Sequence, residues 1–91
     1  MIIAVKHTIL DQDKFFGEEG KKFLSSVPND VKLHNTYALS GGKEAICIWE
    51  AASIDKVRDL MDPATKDISK NEYFEVDQQR SMNLPQLRKA A

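Results

Sequence analysis

Two histidines are the residues of this chain whose side chains could most readily move a proton. His7 lies near the end of a run of β-branched residues and has the same parity as Val5. An imidazole has an ordinary pKa close to working pH, so His7 at the rim of a pocket could act as a general base. The structural alternative is a strand-end histidine with one hydrogen bond, and both interpretations stay open. His34 has the opposite parity to Leu33 and Tyr37, which favours a solvated strand histidine.

Three aromatic residues and one glutamate are the candidates for binding a ligand. They are Tyr37, Trp49, Tyr73 and Glu75. Aromatic rings with a few convergent polar groups are what a pocket for a flat organic molecule requires. Trp and Tyr are also enriched at protein interfaces, so a dimer interface or a core is the favoured alternative for the aromatic residues. Glu75 alternates with Phe74 and Val76, so it points away from them and is either solvated or in the pocket beside Tyr73.

Metal binding and covalent chemistry are not favoured by the spacing of the remaining candidates. Side chains of metal-binding type are His7, His34, Cys47 and Glu75. A transition metal needs three or four converging ligands, and this spacing has no recognised signature. Cys47 lies within an apolar run, where a free cysteine usually behaves as a small hydrophobe. We therefore expect no metal and no cofactor.

The composition indicates one small domain without a strong charge. The chain has 91 residues, 13 basic and 14 acidic side chains and a net charge of -1, so nothing favours nucleic acid or an anionic membrane as a partner. One cysteine cannot form an intramolecular disulfide, which favours a reducing compartment. No apolar run is long enough for a signal peptide or a membrane span. We expect a cytoplasmic protein.

The elements that must position these side chains follow the order strand, helix, strand, strand, helix, strand. The strands are predicted at Ile2–Ile9, Val31–Leu39, Glu44–Ala51 and Glu72–Val76. Gly41 and Gly42 predict a hairpin turn before the third strand, because glycine accepts a positive φ without a steric cost. Ser53 is expected to cap the second helix and Pro63 to stop it, with a polar connection over 63–70.

The first helix is expected to begin at a cap formed by Asp11 or Asp13 and to end before Pro28. Its apolar stripe is Phe16, Gly20, Phe23, Leu24 and Val27. Because Gly20 lies on this stripe, we expect it to let the helix approach the sheet closely.

This order predicts an α+β domain over residues 1–77 with a ferredoxin-like βαββαβ arrangement, a four-stranded antiparallel sheet with two helices on one face. Both parities of the first and third strands are apolar, whereas a sheet with one wet face would alternate with polar residues. We therefore expect the second face to be covered by the same face of another copy, as in a dimeric α+β barrel. The tail, residues 78–91, is either an arm that packs on the partner or frayed.

Two segments carry a resemblance to a known family. The strand Cys-Ile-Trp-Glu-Ala at 47–51, which leads into a serine-capped helix, and the strand Asn-Glu-Tyr-Phe-Glu-Val at 71–76 resemble the dimeric α+β-barrel superfamily. Within it, residues 2–77 are most similar to small uncharacterised bacterial proteins related to a nickel-binding-like branch. The second helix of that branch carries histidines, and the matching stretch Lys56–Met61 has none, which argues against a metal site. Other branches with this fold are cofactor-free monooxygenases, muconolactone-isomerase-like enzymes and stress-induced barrels.

We expect a homodimeric protein that binds a small molecule in the barrel or at its rim. The first alternative is a cofactor-independent monooxygenase or isomerase of a small aromatic or lactone-like substrate, with His7 as the base. The last alternative is a metal-binding protein that uses His7 and His34.

Overall fold

The computed structural model describes residues 1–87 and shows an α+β fold with a four-stranded antiparallel sheet. The strands are β1 Ile2–Ile9, β2 Lys32–Ala38, β3 Glu44–Glu50 and β4 Ser69–Glu75. The helices are α1 Gln12–Phe16, α2 Glu18–Ser25 and α3 Ile54–Ala64. The strand order across the sheet is β2-β3-β1-β4, so the two most apolar strands occupy its centre. This architecture is compatible with the predicted ferredoxin-like arrangement, with one helix more than expected.

Alternate residues of the central strands face the helices, and we call this side of the sheet the inner face. Antiparallel pairing sets Ile3 opposite Trp49 and Val5 opposite Cys47, and each of the four is at most 5% exposed. The core formed with the helices contains Ile3, Val5, Val31, Cys47, Trp49, Ala51, Val57 and Met61. Removing one such large apolar side chain from water contributes about 1.5–3 kcal/mol, so this face holds the helices on the sheet.

The opposite side, which we call the outer face, is also apolar at its centre. Ala4 lies between Ile48 on β3 and Phe74 on β4, and Ile46 lies beside Tyr37 on β2. Phe74 is 51% exposed and Tyr37 is 54% exposed. In the single chain these side chains lie at the surface, and the pairing of two copies over them stays a prediction.

The turn and helix caps predicted from local sequence are confirmed. Gly41 and Gly42 have φ values of 96° and 70°, the region that favours glycine. The Ser53 hydroxyl accepts a hydrogen bond from the backbone N–H of Lys56 at the start of α3. Of the two aspartates considered for the first cap, Asp11 makes the capping hydrogen bond.

The first helical segment is two short helices and not the continuous helix that was predicted. The chain takes an extended conformation at Gly17, between α1 and α2. A Cβ on Gly20 would lie 2.8 Å from the carbonyl oxygen of Phe15, and one on Gly17 would clash with the carbonyl oxygen of Asp13. The glycines therefore let α2 begin directly against α1. The prediction that Gly20 brings the helix close to the sheet is wrong.

The second helix and the last strand are both longer than the sequence predicted. Helix α3 continues through Pro63, which lies in its last turn. The missing proline N–H would have bonded the carbonyl of Asp59, but Asp59 is exposed and water can take that role. Strand β4 begins at Ser69 and not at Glu72, because pairing with β1 starts at Ile9 opposite Ser69.

Residues 76–87 contain no helix or strand. In this part of the tail Met82 is 87% exposed, whereas Leu84 is half-buried. Its packing on a partner stays a prediction, and residues 88–91 lie outside the described residues. No helix within residues 1–87 is both long enough and apolar enough to cross a membrane.

Candidate functional site

A cavity of about 270 Å³ lies between the helices and the inner face of the sheet, and we call it the inner cavity. Its wall is mainly apolar and includes Phe15, Phe23, Leu33, Trp49, Met61 and Ile68. Phe16 and Leu24 also line the cavity and are 45% and 48% exposed, so they mark its mouth. Helices α1 and α2, which replace the single helix predicted for this segment, therefore form the roof of this cavity.

Trp49 belongs to the core and also lines the inner cavity. It is 1% exposed and packs edge-to-face against Phe23, with ring centroids 6.2 Å apart. Its indole Nε1–H is buried and has no acceptor within residues 1–87. A buried donor without a partner costs about 1–3 kcal/mol, so Trp49, which lines the cavity, carries a hydrogen-bond donor that is unused within the described residues.

His7 lies on the same face, behind the wall of the inner cavity. The β1–β4 register sets His7 opposite Asn71, and its Nδ1 lies 2.6 Å from the Asn71 side-chain oxygen. Its other ring nitrogen, Nε2, is buried without a hydrogen-bond partner in the described chain. The ring of Phe15 makes an edge contact with the imidazole at 5.0 Å between centroids. Burial lowers the pKa of His7, and the hydrogen bond to Asn71 opposes this effect only in part.

Asn71 is the centre of a polar cluster at the junction of β4 and α3. Its amide nitrogen lies 3.0 Å from a carboxylate oxygen of Asp62 and 2.8 Å from the hydroxyl of Thr65. Its oxygen accepts a second hydrogen bond from the Ser69 hydroxyl at 2.8 Å. We call Asp62, Thr65, Ser69 and Asn71 the Asn71 cluster. Both polar atoms of the Asn71 amide are therefore hydrogen-bonded within this cluster and to His7.

Tyr73 extends this cluster toward the surface. Its hydroxyl donates to Asp62 at 2.5 Å, and the Arg58 guanidinium lies 5.2 Å from the centre of its ring. Burial and the hydrogen bond to Asp62 raise the pKa of Tyr73 far above its ordinary range. Tyr73 is therefore a neutral hydrogen-bond donor and is unsuited to act as a base.

The structure does not bring all the candidate residues to one place. Trp49 lines the inner cavity, and Tyr73 packs against the core below it. Tyr37 lies on the outer face, because a β-bulge between Leu33 and Asn35 reverses the alternation of β2. Glu75 is exposed at the end of β4, apart from the cavity wall.

The two histidines lie on opposite faces of the sheet. His34 Nε2 lies 2.9 Å from a carboxylate oxygen of Glu50, an outer-face residue, and its side chain is 7% exposed. The prediction of a solvated His34 is therefore wrong. His7 and His34 of one chain cannot bind the same ion across the sheet. Within residues 1–87, no group of three or more His, Cys, Asp or Glu side chains could hold a metal.

Cys47 behaves as a core residue, as its sequence context predicts. It is 5% exposed, and burial raises the pKa of its thiol, while a weak contact with the Thr36 hydroxyl at 3.6 Å opposes the shift. A thiol with a raised pKa is a poor nucleophile.

Sequence reasoning missed Phe15 and Asn71, which contact His7, and Thr65, which bonds Asn71. The position of Asn71 depends on the β1–β4 register, for which the sequence carries no local signal. Phe15 could have been found from its position one residue before the apolar stripe, had the break at Gly17 been recognised.

Comparisons with protein-family models, with curated proteins and with solved structures found no match. They therefore add nothing to the resemblance to the dimeric α+β-barrel superfamily or to its nickel-binding-like branch.

Proposed function

We propose that this protein binds a small, mainly apolar organic molecule in the inner cavity. The observation that carries the proposal is an apolar cavity of about 270 Å³ whose wall contains Trp49, with a buried indole N–H that has no acceptor in residues 1–87. An apolar cavity of about 150 Å³ is enough to bind benzene. The inner cavity therefore has room for one substituted ring.

The chemistry of the wall favours a neutral ligand with a hydrogen-bond acceptor. The charged residues of the lining, Lys14, Glu19 and Lys21, are exposed, so a charged group deeper in the cavity would lose its hydration among phenylalanine, leucine and methionine side chains without a partner. A carbonyl or ether oxygen, in contrast, could accept from Trp49 Nε1. Aromatic ketones such as acetophenone combine this oxygen with a ring of suitable size.

The test compares acetophenone with ethylbenzene, which has nearly the same shape and no acceptor. At ten times its dissociation constant, acetophenone should raise the melting temperature of the full chain by about 5–10 °C. Ala64→Phe places a large side chain at the cavity wall and should abolish this shift. Ala52→Phe, at an exposed position away from the wall, is the matched control.

Two results would contradict the proposal. One is the absence of any shift with both molecules in the wild-type protein. The other is an equal shift in the wild-type and Ala64→Phe proteins, because the ligand would then bind elsewhere. A preference for acetophenone that survives Trp49→Phe would leave the cavity in place but reject the indole as its donor.

A catalytic use of the same cavity is the second candidate. It would be a cofactor-independent oxygenase or isomerase of a small aromatic or lactone-like substrate. The observation that favours it is the buried His7 ring, held by Asn71 behind the cavity wall. A His7→Phe protein that keeps its melting temperature and its ligand but loses turnover on such substrates would support this role. Turnover that is unchanged in His7→Phe would exclude His7 as the base.

We also propose that two copies pair through their outer faces and form a dimeric α+β barrel on a ferredoxin-like domain. Ala4, Ile46, Ile48 and Phe74 form adjoining apolar positions across three strands, and Tyr37 extends them onto the fourth. Contiguous apolar surface of this kind on a small domain usually marks an interaction site. An identical surface on a second copy matches it in chemistry and needs no other partner.

Sedimentation of the full chain tests this pairing. The wild-type protein should sediment as a dimer of the 10.3 kDa chain at micromolar concentration. Phe74→Asp places a charge on the exposed aromatic position of this surface on the edge strand β4 and should weaken pairing by roughly 30-fold or more. Leu10→Asp, at a leucine that is 56% exposed outside the strands, is the control and should leave pairing unchanged. A wild-type protein that is monomeric under these conditions would refute the pairing.

A further inference from the structure

The orientation of the Asn71 amide determines which nitrogen of His7 carries the proton. Asp62 is acceptor-only when ionised, so the group of Asn71 that faces it must be the NH2 group. The Thr65 hydroxyl donates to the carbonyl of Met61 and therefore accepts from the same NH2 group. The oxygen of Asn71 is thus directed to His7.

An amide oxygen can only accept, so His7 must donate to it from Nδ1 over the 2.6 Å contact. In a neutral imidazole one nitrogen is the donor and the other an acceptor, so His7 Nε2 presents a lone pair. This lone pair is buried and has no partner within residues 1–87. The lowered pKa of His7 agrees with a neutral ring.

One side chain, Phe15, belongs both to the surroundings of this ring and to the wall of the inner cavity. Phe15 lines the cavity and contacts His7 edge-on, and it is half-buried. It belongs to α1, a five-residue helix that buries none of its residues completely. Rotation about its two side-chain torsions moves the Phe15 ring without unfolding an element.

We propose that His7 Nε2 accepts a hydrogen bond from the hydroxyl of a phenol bound in the inner cavity, with Phe15 turned aside and Asn71 as the positioning residue. The inference rests on the proposed binding function and names its ligand class. A phenol is neutral, carries a strong donor and has a ring that suits the apolar wall. An ammonium group or a carboxylate beside the buried His7 would carry an unpaired charge, because the charged residues of the cavity lining are exposed.

The binding test uses 4-ethylphenol and 4-ethylanisole, in which a methyl group replaces the hydroxyl hydrogen and removes the donor. The wild-type protein should bind the phenol roughly fivefold more tightly than the ether, the effect of one hydrogen bond. His7→Phe should bring the ratio close to one, because it removes the acceptor and keeps a ring in place. His34→Gln changes the histidine of the outer face and should keep the wild-type ratio.

A measurement on the wild-type protein covers the case in which His7→Phe does not fold. Nitrogen-15 NMR of the imidazole should show a protonated Nδ1 and an unprotonated Nε2, and 4-ethylphenol should shift the Nε2 signal while 4-ethylanisole should not. In Asn71→Leu the ring should lose its fixed tautomer.

The possible failures are distinguishable. Equal binding of the phenol and the ether by the wild-type protein, or a proton on Nε2, would overturn the His7 inference and leave cavity binding intact. If neither compound binds and Ala64→Phe changes nothing, both the inference and the proposed function fail.

Discussion

His7 shows how burial and one directed hydrogen bond set the protonation of a side chain. The residue is fully buried, and within the described residues its one side-chain hydrogen bond is to the oxygen of Asn71, which carries no charge. Burial disfavours the charged imidazolium, and a neutral amide oxygen offsets this effect only in part. The ring is therefore held neutral below its ordinary pKa of 6.5.

This arrangement predicts that acid weakens the fold through His7. Because the folded pKa is lowered, the unfolded chain binds the proton first, and the free energy of unfolding falls as the pH drops below 6.5 toward the folded value. Above pH 6.5 His7 is neutral in both the folded and the unfolded state, so it does not make the free energy of unfolding depend on pH. The loss amounts to roughly 1.4 kcal/mol for each pKa unit between the two states.

Urea denaturation of the wild-type and His7→Phe proteins between pH 8 and pH 5 measures this effect. The carboxylates and His34 contribute equally to both proteins, so the difference between the two curves isolates His7. Parallel curves over this range would show that His7 does not have a lowered pKa.

Among the site residues, the sequence predicts what depends on local pattern. The shared parity of His7 and Val5 placed both on one face, and the structure agrees. The partner of His7 could not be predicted, because Asn71 reaches it through the β1–β4 register. Tyr37 was grouped with Trp49 as an aromatic residue, and its place on the outer face depends on a bulge in β2 that alternation cannot reveal.

At the scale of elements, the break between α1 and α2 creates the roof of the inner cavity. In a continuous helix Phe15 and Phe16 would follow the same axis as α2. The break at Gly17 gives α1 its own direction, and Phe15 lies against His7. The break was not predicted because glycine within a helix lowers stability without revealing whether the helix bends. Caps and the hairpin turn depend on neighbouring residues alone, and these were predicted correctly.

Gly20→Ala tests whether α2 must begin directly against α1. In the interior of an exposed helix this substitution stabilises by about 1 kcal/mol. Here the added Cβ would lie 2.8 Å from the carbonyl oxygen of Phe15, so backbone has to move. We expect the opposite sign, a loss of about 1–2 kcal/mol in the free energy of unfolding by urea.

Lys22→Ala, at an exposed position of the same helix, is the control for Gly20→Ala and should change stability by less than about 0.5 kcal/mol. A stabilised Gly20→Ala protein would mean that α1 and α2 do not approach each other in this way.

For the whole molecule, the central strands β1 and β3 serve two surfaces at once. Their inner residues hold the helices and border the cavity, and their outer residues form the apolar surface proposed for pairing. The sequence predicted two apolar faces from the lack of polar alternation. It could not predict a cavity on the inner face, because that depends on how closely three helices pack. Binding and pairing should therefore be separable, since they use opposite sides of one sheet.

Thermal unfolding at several protein concentrations tests this separation. Only folded chains can pair. A higher protein concentration therefore stabilises the folded state, and the wild-type melting temperature should rise by about 3–5 °C for each tenfold increase in concentration. Phe74→Asp should remove this dependence, yet acetophenone should stabilise the variant as much as the wild-type protein, because Phe74 lies on the outer face. A variant that stops pairing and also stops binding acetophenone would show that the inner cavity is complete only in the dimer.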